Sequence, residues 1–167
     1  MRGTAVFVLA VSCLLGAPAL AEEAPTGHQA TVYEGFTIEQ IQKMMQGLGL
    51  QAELQQDENG PYLRSGAQGQ VFFVTPYDCS DAEPRVCESF QFVSAVFTPT
   101  QPITADKINE WNRKYPWARG IIDEQGKPYL RNDFLTTGGV TELWFASTLR
   151  IWSNQLGKFA VFVAPPQ

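Results

Sequence analysis

The chain has 167 residues, of which 17 are acidic and 12 are basic, and its formal net charge at pH 7 is −5. Nucleic acid and anionic lipid are disfavoured as partners, because both carry negative charge. Aromatic residues make up 12% of the sequence, which favours a packed core over intrinsic disorder.

Residues 1–21 have the order of a cleavable secretory signal peptide. A positive charge at Arg2 precedes an uncharged run from Ala5 to Leu15, and helix breakers then lead to the small residues Ala19 and Ala21. The apolar run is shorter than the about 20 residues that span a bilayer. Cleavage after Ala21 predicts a mature chain of 146 residues (167 minus 21) in the periplasm or outside the cell, a length that suits one domain.

A lipoprotein signal is the alternative for the same segment. Cys13 closes an apolar stretch, but Ala10 stands where a leucine is expected three positions earlier. Cleavage at Cys13 would also leave Leu14 and Leu15 as an apolar start, whereas cleavage after Ala21 leaves a polar one. The secretory signal is therefore favoured.

Cys79 and Cys87 follow the signal and have seven residues between them. An even pair in an exported protein predicts a disulfide, which here would staple a connection between two strands. A metal site would need histidine or further cysteine nearby, and the sequence has none there. Clustered acids around the pair leave a calcium site open, although they lack the spacing of an EF-hand. These acids are Asp78, Asp81, Glu83 and Glu88.

The predicted domain follows a polar leader. Residues 22–35 have no hydrophobic periodicity and are predicted to be disordered; they include His28, the one histidine of the sequence. The domain is predicted over residues 36–163, with a short tail at residues 164–167.

The first two helices are predicted from the same N-terminal signal. Thr37 and Gln40 form a capping box, and apolar residues then recur at helical spacing as far as Gly49. Thr104 opens the second helix, and Pro116 ends it. The apolar positions are Ile38, Ile41, Met44, Met45 and Leu48 in the first helix and Ile108, Trp111 and Tyr115 in the second.

Apolar runs rich in β-branched and aromatic residues predict strands between these helices. Leu50 to Gln56 and Tyr62 to Ser65 flank Asn59-Gly60, a strong hairpin signal. Val71 to Val74 and Ser89 to Phe97 are joined through the cysteine loop.

A second hairpin is predicted after the second helix, because Asp123 to Arg131 resembles Asp57 to Arg64. The likeness indicates a repeated unit of helix, strand, turn and strand, with chance convergence on good turn residues as the alternative. Val140 to Val163 predicts a long amphipathic helix of roughly five to six turns. The fold class is therefore α+β: an antiparallel sheet of about five strands packed by three helices, in the order αβββαββα.

Catalytic chemistry has few candidates in the sequence. Nucleophilic catalysis needs a base, and His28 lies in the leader. Paired carboxylates remain an alternative, but Asp57-Glu58 and Asp123-Glu124 both fall in predicted turns, where acids are common. We therefore expect a protein that is not an enzyme, with no catalytic residue, metal or cofactor.

A set of aromatic residues forms the candidate interaction surface. Most of them should be core, given their helical or alternating spacing, but a face that exposes several would indicate a partner. A homodimer is one hypothesis for that partner. The set is Trp111, Tyr115, Trp117, Trp144 and Trp152.

Three short patterns, in the right order, resemble the YbjN family. They are Asn109-Glu110-Trp111-Asn112, then Trp117-Ala118-Arg119 with Asp123-Glu124-Gln125-Gly126, and Asp133-Phe134-Leu135-Thr136-Thr137-Gly138-Gly139-Val140-Thr141. The resemblance covers roughly Phe36 to Phe162. It implies a fold similar to type III secretion chaperones and a family label of sensory transduction regulator.

The leading functional hypothesis is a non-enzymatic periplasmic binding module that recognises a protein or peptide through its sheet or its long helix. Two alternatives stay open: an envelope enzyme that uses paired carboxylates, and a structural or stress-related envelope protein without a ligand.

Overall fold

The computed structural model describes residues 30–165. Residues 1–29 and 166–167 lie outside the described range, and with them the predicted signal peptide and His28. The described residues form α1 (Ile38–Gly47), β1 (Ala52–Asp57), β2 (Gly60–Ala67), β3 (Gln70–Cys79), β4 (Cys87–Ser94), α2 (Ala105–Lys114), β5 (Arg119–Ile122), β6 (Pro128–Leu135) and α3 (Glu142–Val163). Among residues 30–165, none of the three helices combines the length and hydropathy that a membrane crossing needs.

All six strands join one antiparallel sheet in the order β1-β2-β3-β4-β6-β5. The predicted α+β class, with an antiparallel sheet and three helices, is confirmed. The sheet has one strand more than the predicted order, because each of the four apolar runs between α1 and α2 forms a strand of its own. A helix followed by a hairpin stands at each edge of the sheet, as the repeated unit predicted.

Each helix begins at a threonine that caps it. The Thr37 hydroxyl accepts a hydrogen bond from the Gln40 backbone N–H at 3.2 Å, and the Gln40 side chain accepts one from the Thr37 N–H at 2.8 Å. Thr104 and Thr141 accept from the N–H groups three residues later. Caps of this kind stabilise a helix by about 1 kcal/mol, so the three helix starts are defined locally.

The core lies between α3 and one face of the sheet. Trp152 of α3 is fully buried, with its ring 5.9 Å from Phe72 of β3 and 5.5 Å from Phe92 of β4. α2 joins the same layer, because the rings of Trp111 and Phe159 are 4.8 Å apart. The opposite face of the sheet is more exposed, and Asp133 of β6 lies on it.

The folded domain begins at Tyr33, three residues before the predicted start and inside the segment predicted to be disordered. Tyr33 exchanges two backbone hydrogen bonds with Val140, at 2.8 and 2.9 Å. Phe36 makes the same exchange with Cys87 and is 1% exposed. Isolated bridges need only single residues, so they leave no periodic pattern in a sequence.

The predicted disulfide is formed in this structure. Cys79 and Cys87 are opposite partners at the end of the β3–β4 ladder, and their Sγ atoms are 2.08 Å apart. The bridge therefore closes the polar loop at residues 80–86 and fixes the strand on which Phe36 docks.

Candidate functional site

The five aromatic residues predicted as an interaction surface divide between core and surface. Trp111 and Trp152 are fully buried, so their place in that prediction is wrong: Trp152 packs on Phe72 of the sheet, and Trp111 packs on Phe159 of α3. Tyr115 stacks on Trp111 at 4.0 Å and is half-buried. Trp117 is 60% exposed, and Trp144 is half-buried. These last two line one cleft.

The cleft lies at the β5 side of the sheet and has a volume of about 570 Å³. Three segments form its walls: the turn between α2 and β5, the end of β6, and the first half of α3. We call it the edge cleft. Its main lining residues are Pro116, Trp117, Asn132, Phe134, Trp144 and Thr148.

The edge cleft exists because β5 is shorter than β6. β5 pairs only from Arg119 opposite Arg131 to Ile122 opposite Pro128, whereas β6 continues to Leu135. The chain before Arg119 leaves the sheet: the Trp117 carbonyl accepts a hydrogen bond from the Asn132 side chain. Residues 132–135 therefore have β4 on one side and, within residues 30–165, no strand on the other.

Hydrogen-bond alternation shows which backbone groups of β6 face the open side. The Leu130 N–H donates to the side-chain hydroxyl of Ser94 in β4, and the Thr136 N–H donates to the backbone carbonyl of Glu88, both at 2.8 Å. Along an antiparallel strand, successive residues direct their backbone groups to opposite neighbours. The N–H and C=O groups of Asp133 and Leu135 therefore point away from β4, toward the edge that β5 does not cover.

Two arginines and one carboxylate lie beside this open edge. Arg131 Nε is 2.9 Å from Asp133 Oδ1, Arg119 pairs with the other carboxylate oxygen, and Gln91 Nε2 donates to Oδ1 at 2.7 Å. Burial raises the pKa of the Asp133 carboxyl, but the hydrogen bonds from Arg131 and Gln91, together with both positive charges, outweigh it and leave the pKa below its usual value. The group carries one positive charge in excess.

Sequence reasoning missed this charged group, although two of its members stand in the patterns that resemble the YbjN family. Arg119 and Asp133 are 14 positions apart, and only the strand register brings them together. Opposite charges at such a separation carry no periodic signal. The open edge of β6 was missed for a related reason, because it depends on the residue at which β5 begins to pair with β6.

The aspartate of each carboxylate pair considered for catalysis has a structural role in its turn. Asp57 Oδ1 accepts a hydrogen bond from the Asn59 N–H at 2.7 Å. Asp123 Oδ1 accepts from the N–H groups of Gln125 and Lys127, at 3.0 and 2.7 Å. Side chains that accept hydrogen bonds from nearby backbone in this way stabilise turns, which gives Asp57 and Asp123 a structural role.

The acids around the disulfide do not gather into a cation site. Asp78 accepts a hydrogen bond from the Ser89 hydroxyl. Within residues 30–165, no three side chains of histidine, cysteine, aspartate or glutamate come close enough together to hold a metal ion.

A second and larger concavity, about 720 Å³, lies beside the disulfide. The β1–β2 turn, the cysteine loop and the start of α1 form its walls, and one of its carboxylates, Asp57, is engaged within its own turn. The edge cleft is the stronger candidate because it combines exposed aromatic surface with strand backbone that β5 does not cover.

The sequence signature of the YbjN family, described as "Putative bacterial sensory transduction regulator", matches residues 37–162. The chain therefore belongs to the YbjN family. No curated protein matches it. Among solved structures, it is similar to the Yersinia pestis type III secretion chaperone SycH, crystallised in complex with a stable fragment of YscM2. That similarity has a TM-score of 0.48 and 16% sequence identity, over 76% of this chain and 98% of the chaperone chain.

Proposed function

We propose that this protein is an exported, non-enzymatic binding module that recognises a protein or peptide at the edge cleft. The observation that carries the proposal is the exposure of Trp117, 60% of whose surface is open to solvent, beside an edge of β6 that no strand within residues 30–165 covers. Exposed tryptophans next to a concave surface are typical of the residues that dominate binding energy at interfaces.

The apolar character of the cleft supports binding over catalysis. The rings of Trp144 and Phe134 are 5.6 Å apart and form one wall. The carboxylate of Asp133 is engaged by two arginines, and it has no second acid beside it among the lining residues, so the cleft lacks the pair that acid–base hydrolysis uses.

Export is supported by the order of residues 1–21 and by the disulfide between Cys79 and Cys87, which persists in an oxidising compartment. The test is the mass of the protein recovered from the periplasm and from the medium, which should correspond to a chain that begins at Glu22.

Affinity capture from periplasmic extract, with the mature protein and its Trp117→Ala variant as baits, tests the binding function. We expect at least one partner that the natural protein retains and that binds the variant at least about thirtyfold more weakly, since aromatic anchors that become buried at an interface contribute about 2 kcal/mol or more. Leu54→Ala is the matched control, because Leu54 is 45% exposed on the opposite edge strand, β1. Equal recovery by Trp117→Ala and the natural protein would overturn the proposal.

A second copy of the chain is the other candidate partner. Leu48 and Leu143, 50% and 76% exposed, lie along the groove between α1 and α3. Exposed leucines of this kind favour a homodimer through the outer side of α3.

A further inference from the structure

We infer that the edge cleft takes an extended segment of a partner protein as a seventh strand beside β6, with an acidic side chain toward Arg119 and Arg131 and an apolar one toward Trp117 and Trp144. This inference rests on the proposed binding function and specifies its ligand. It follows from three features of the cleft: the backbone edge, the alternation of side chains and the local charge.

The backbone edge offers up to four hydrogen bonds. Asp133 and Leu135 each direct one N–H and one C=O to the side where β5 has ended. An added strand would continue the line of β5 at about 4.8 Å from β6. Uncovered strand edges pair readily with a second chain, and extended peptides are bound in this way by several kinds of domain.

One face of the sheet at this edge is apolar and the other is charged, and this difference predicts which side chains the bound segment presents to each face. Phe134 faces the helices, is 7% exposed and contacts the Trp144 ring. Asp133 and Arg131 face the opposite side of the sheet, where Arg119 joins them. Since successive side chains of a strand point to opposite faces, the bound segment presents an apolar residue to the tryptophans and its sequence neighbour to the arginines.

The positive charge of the two arginines favours an acidic residue at the position of the bound segment that faces them. Two guanidinium groups share the single Asp133 carboxylate, and the Arg119 side chain is 63% exposed, so it is free to reach a ligand. The whole chain has a net charge of −5 and repels acidic segments in general. A local excess of positive charge at one strand edge therefore selects both the sign of the ligand and its position.

An external segment fits these requirements better than the chain's own leader. Residues 22–29 contain two glutamates, but their largest apolar residues are Ala24 and Pro25. Alanine is too small to fill the space beside Trp117 and Trp144, and proline lacks the N–H that a strand needs.

Fluorescence anisotropy with labelled synthetic peptides of about ten residues tests the inference on the mature protein. The first probe alternates phenylalanine with aspartate, the second alternates phenylalanine with lysine, and the third is the first with N-methyl groups on alternate backbone nitrogens. We expect the first probe to bind at least tenfold more tightly than either of the others.

Two substitutions in the charged group sharpen the test. Arg119→Glu should reverse the preference between the aspartate and lysine probes, and Asp133→Asn should tighten binding of the aspartate probe severalfold, because it removes the competing carboxylate. Arg64→Glu is the control, since Arg64 is also a solvent-exposed arginine in an ion pair, with Glu53 at the other edge of the sheet; it should leave the preference unchanged. Circular dichroism checks that each variant is folded.

Several results would overturn the inference. Equal affinity for the methylated and unmethylated probes would exclude strand addition, and no binding of the aspartate probe would exclude the predicted pattern. If the probe binds more tightly to a chain that begins at Ala30 than to one that begins at Glu22, the leader is the occupant of the cleft. If the protein has the mass of two chains and this dimer does not bind the probe, a second copy is the occupant. In each case, loss of partner capture by Trp117→Ala would leave the binding function itself standing.

Discussion

Asp133 is where the charges of the edge cleft meet, and its environment makes the stability of the protein depend on pH. Its carboxylate accepts hydrogen bonds from Arg131 and Gln91 and pairs with Arg119. Burial raises its pKa, but these partners lower it further, so the pKa of folded Asp133 lies below the usual value. The stabilising contribution is therefore present above the unfolded pKa of about 3.9 and is lost as pH falls through the lower, folded pKa.

The substitution Asp133→Asn tests this dependence. We expect the variant to be less stable than the natural protein at pH 6 by about 0.5 kcal/mol, a small value because the side chain is 39% exposed and screened by solvent. The difference should shrink toward pH 2.5. Urea unfolding at the two pH values measures it, and Asp81→Asn in the cysteine loop is the control. A difference that stays constant with pH would contradict the assigned role.

At the scale of single residues, the sequence predicted burial well where a helix set the spacing. Trp111 stands with Ile108 on one apolar face of α2, and both are buried. Trp117 follows Pro116 in a turn with no repeating pattern, so nothing in the sequence distinguishes its exposure from the burial of Trp111 six positions earlier. The exposure of Trp117, on which the proposed function depends, therefore could not be predicted from hydrophobic periodicity.

At the scale of elements, the starts of the helices and the hairpins could be predicted from the sequence, because each depends on residues that are neighbours in the sequence. Thr37 and Thr104 cap the helices predicted from them, and Asn59-Gly60 lies at the β1–β2 turn. The ends of the strands could not be predicted from the sequence, because they depend on pairing with strands that are distant in the sequence. β1 covers six of the eight residues of β2, whereas β5 begins only at Arg119 and covers four of the eight residues of β6. This difference between two similar units opens the edge cleft.

The disulfide joins two such elements, and its removal should weaken them. For the Cys79→Ser/Cys87→Ser double variant, we expect the free energy of unfolding to fall by about 2 to 3 kcal/mol, because the short loop is no longer constrained in the unfolded chain. Urea unfolding with and without reducing agent measures the effect. Reductant should lower the stability of the natural protein to that of the variant and leave the variant unchanged; a natural protein that is insensitive to reductant would contradict the expectation.

At the scale of the whole molecule, the sequence predicted the class and the number of helices, since three amphipathic segments and a set of apolar runs permit few ways of covering one sheet. It could not predict the association state, which depends on surfaces that only the folded chain assembles. Leu48 follows α1 directly and Leu143 lies in α3, and the two become neighbours through the packing of α1 on α3.

The proposed homodimer is tested at this scale by light scattering of the mature protein over a wide range of concentration. We expect a mass of two chains for the natural protein and of one chain for Leu143→Glu, because a charge in the centre of an apolar interface is not paired. Leu54→Glu, on the exposed edge strand β1, is the control and should keep the mass of the natural protein. A single-chain mass for the natural protein at high concentration would remove the dimer.

The cover that α3 gives to the sheet has a consequence for the rate of folding. Trp152 of α3 packs on Phe72 and Phe92 of the sheet, which lie 80 and 60 positions earlier in the sequence. Contacts between residues so far apart require long loops to close before the contact can stabilise the chain, and this slows folding. We therefore expect the domain to fold more slowly than a helical bundle of similar length.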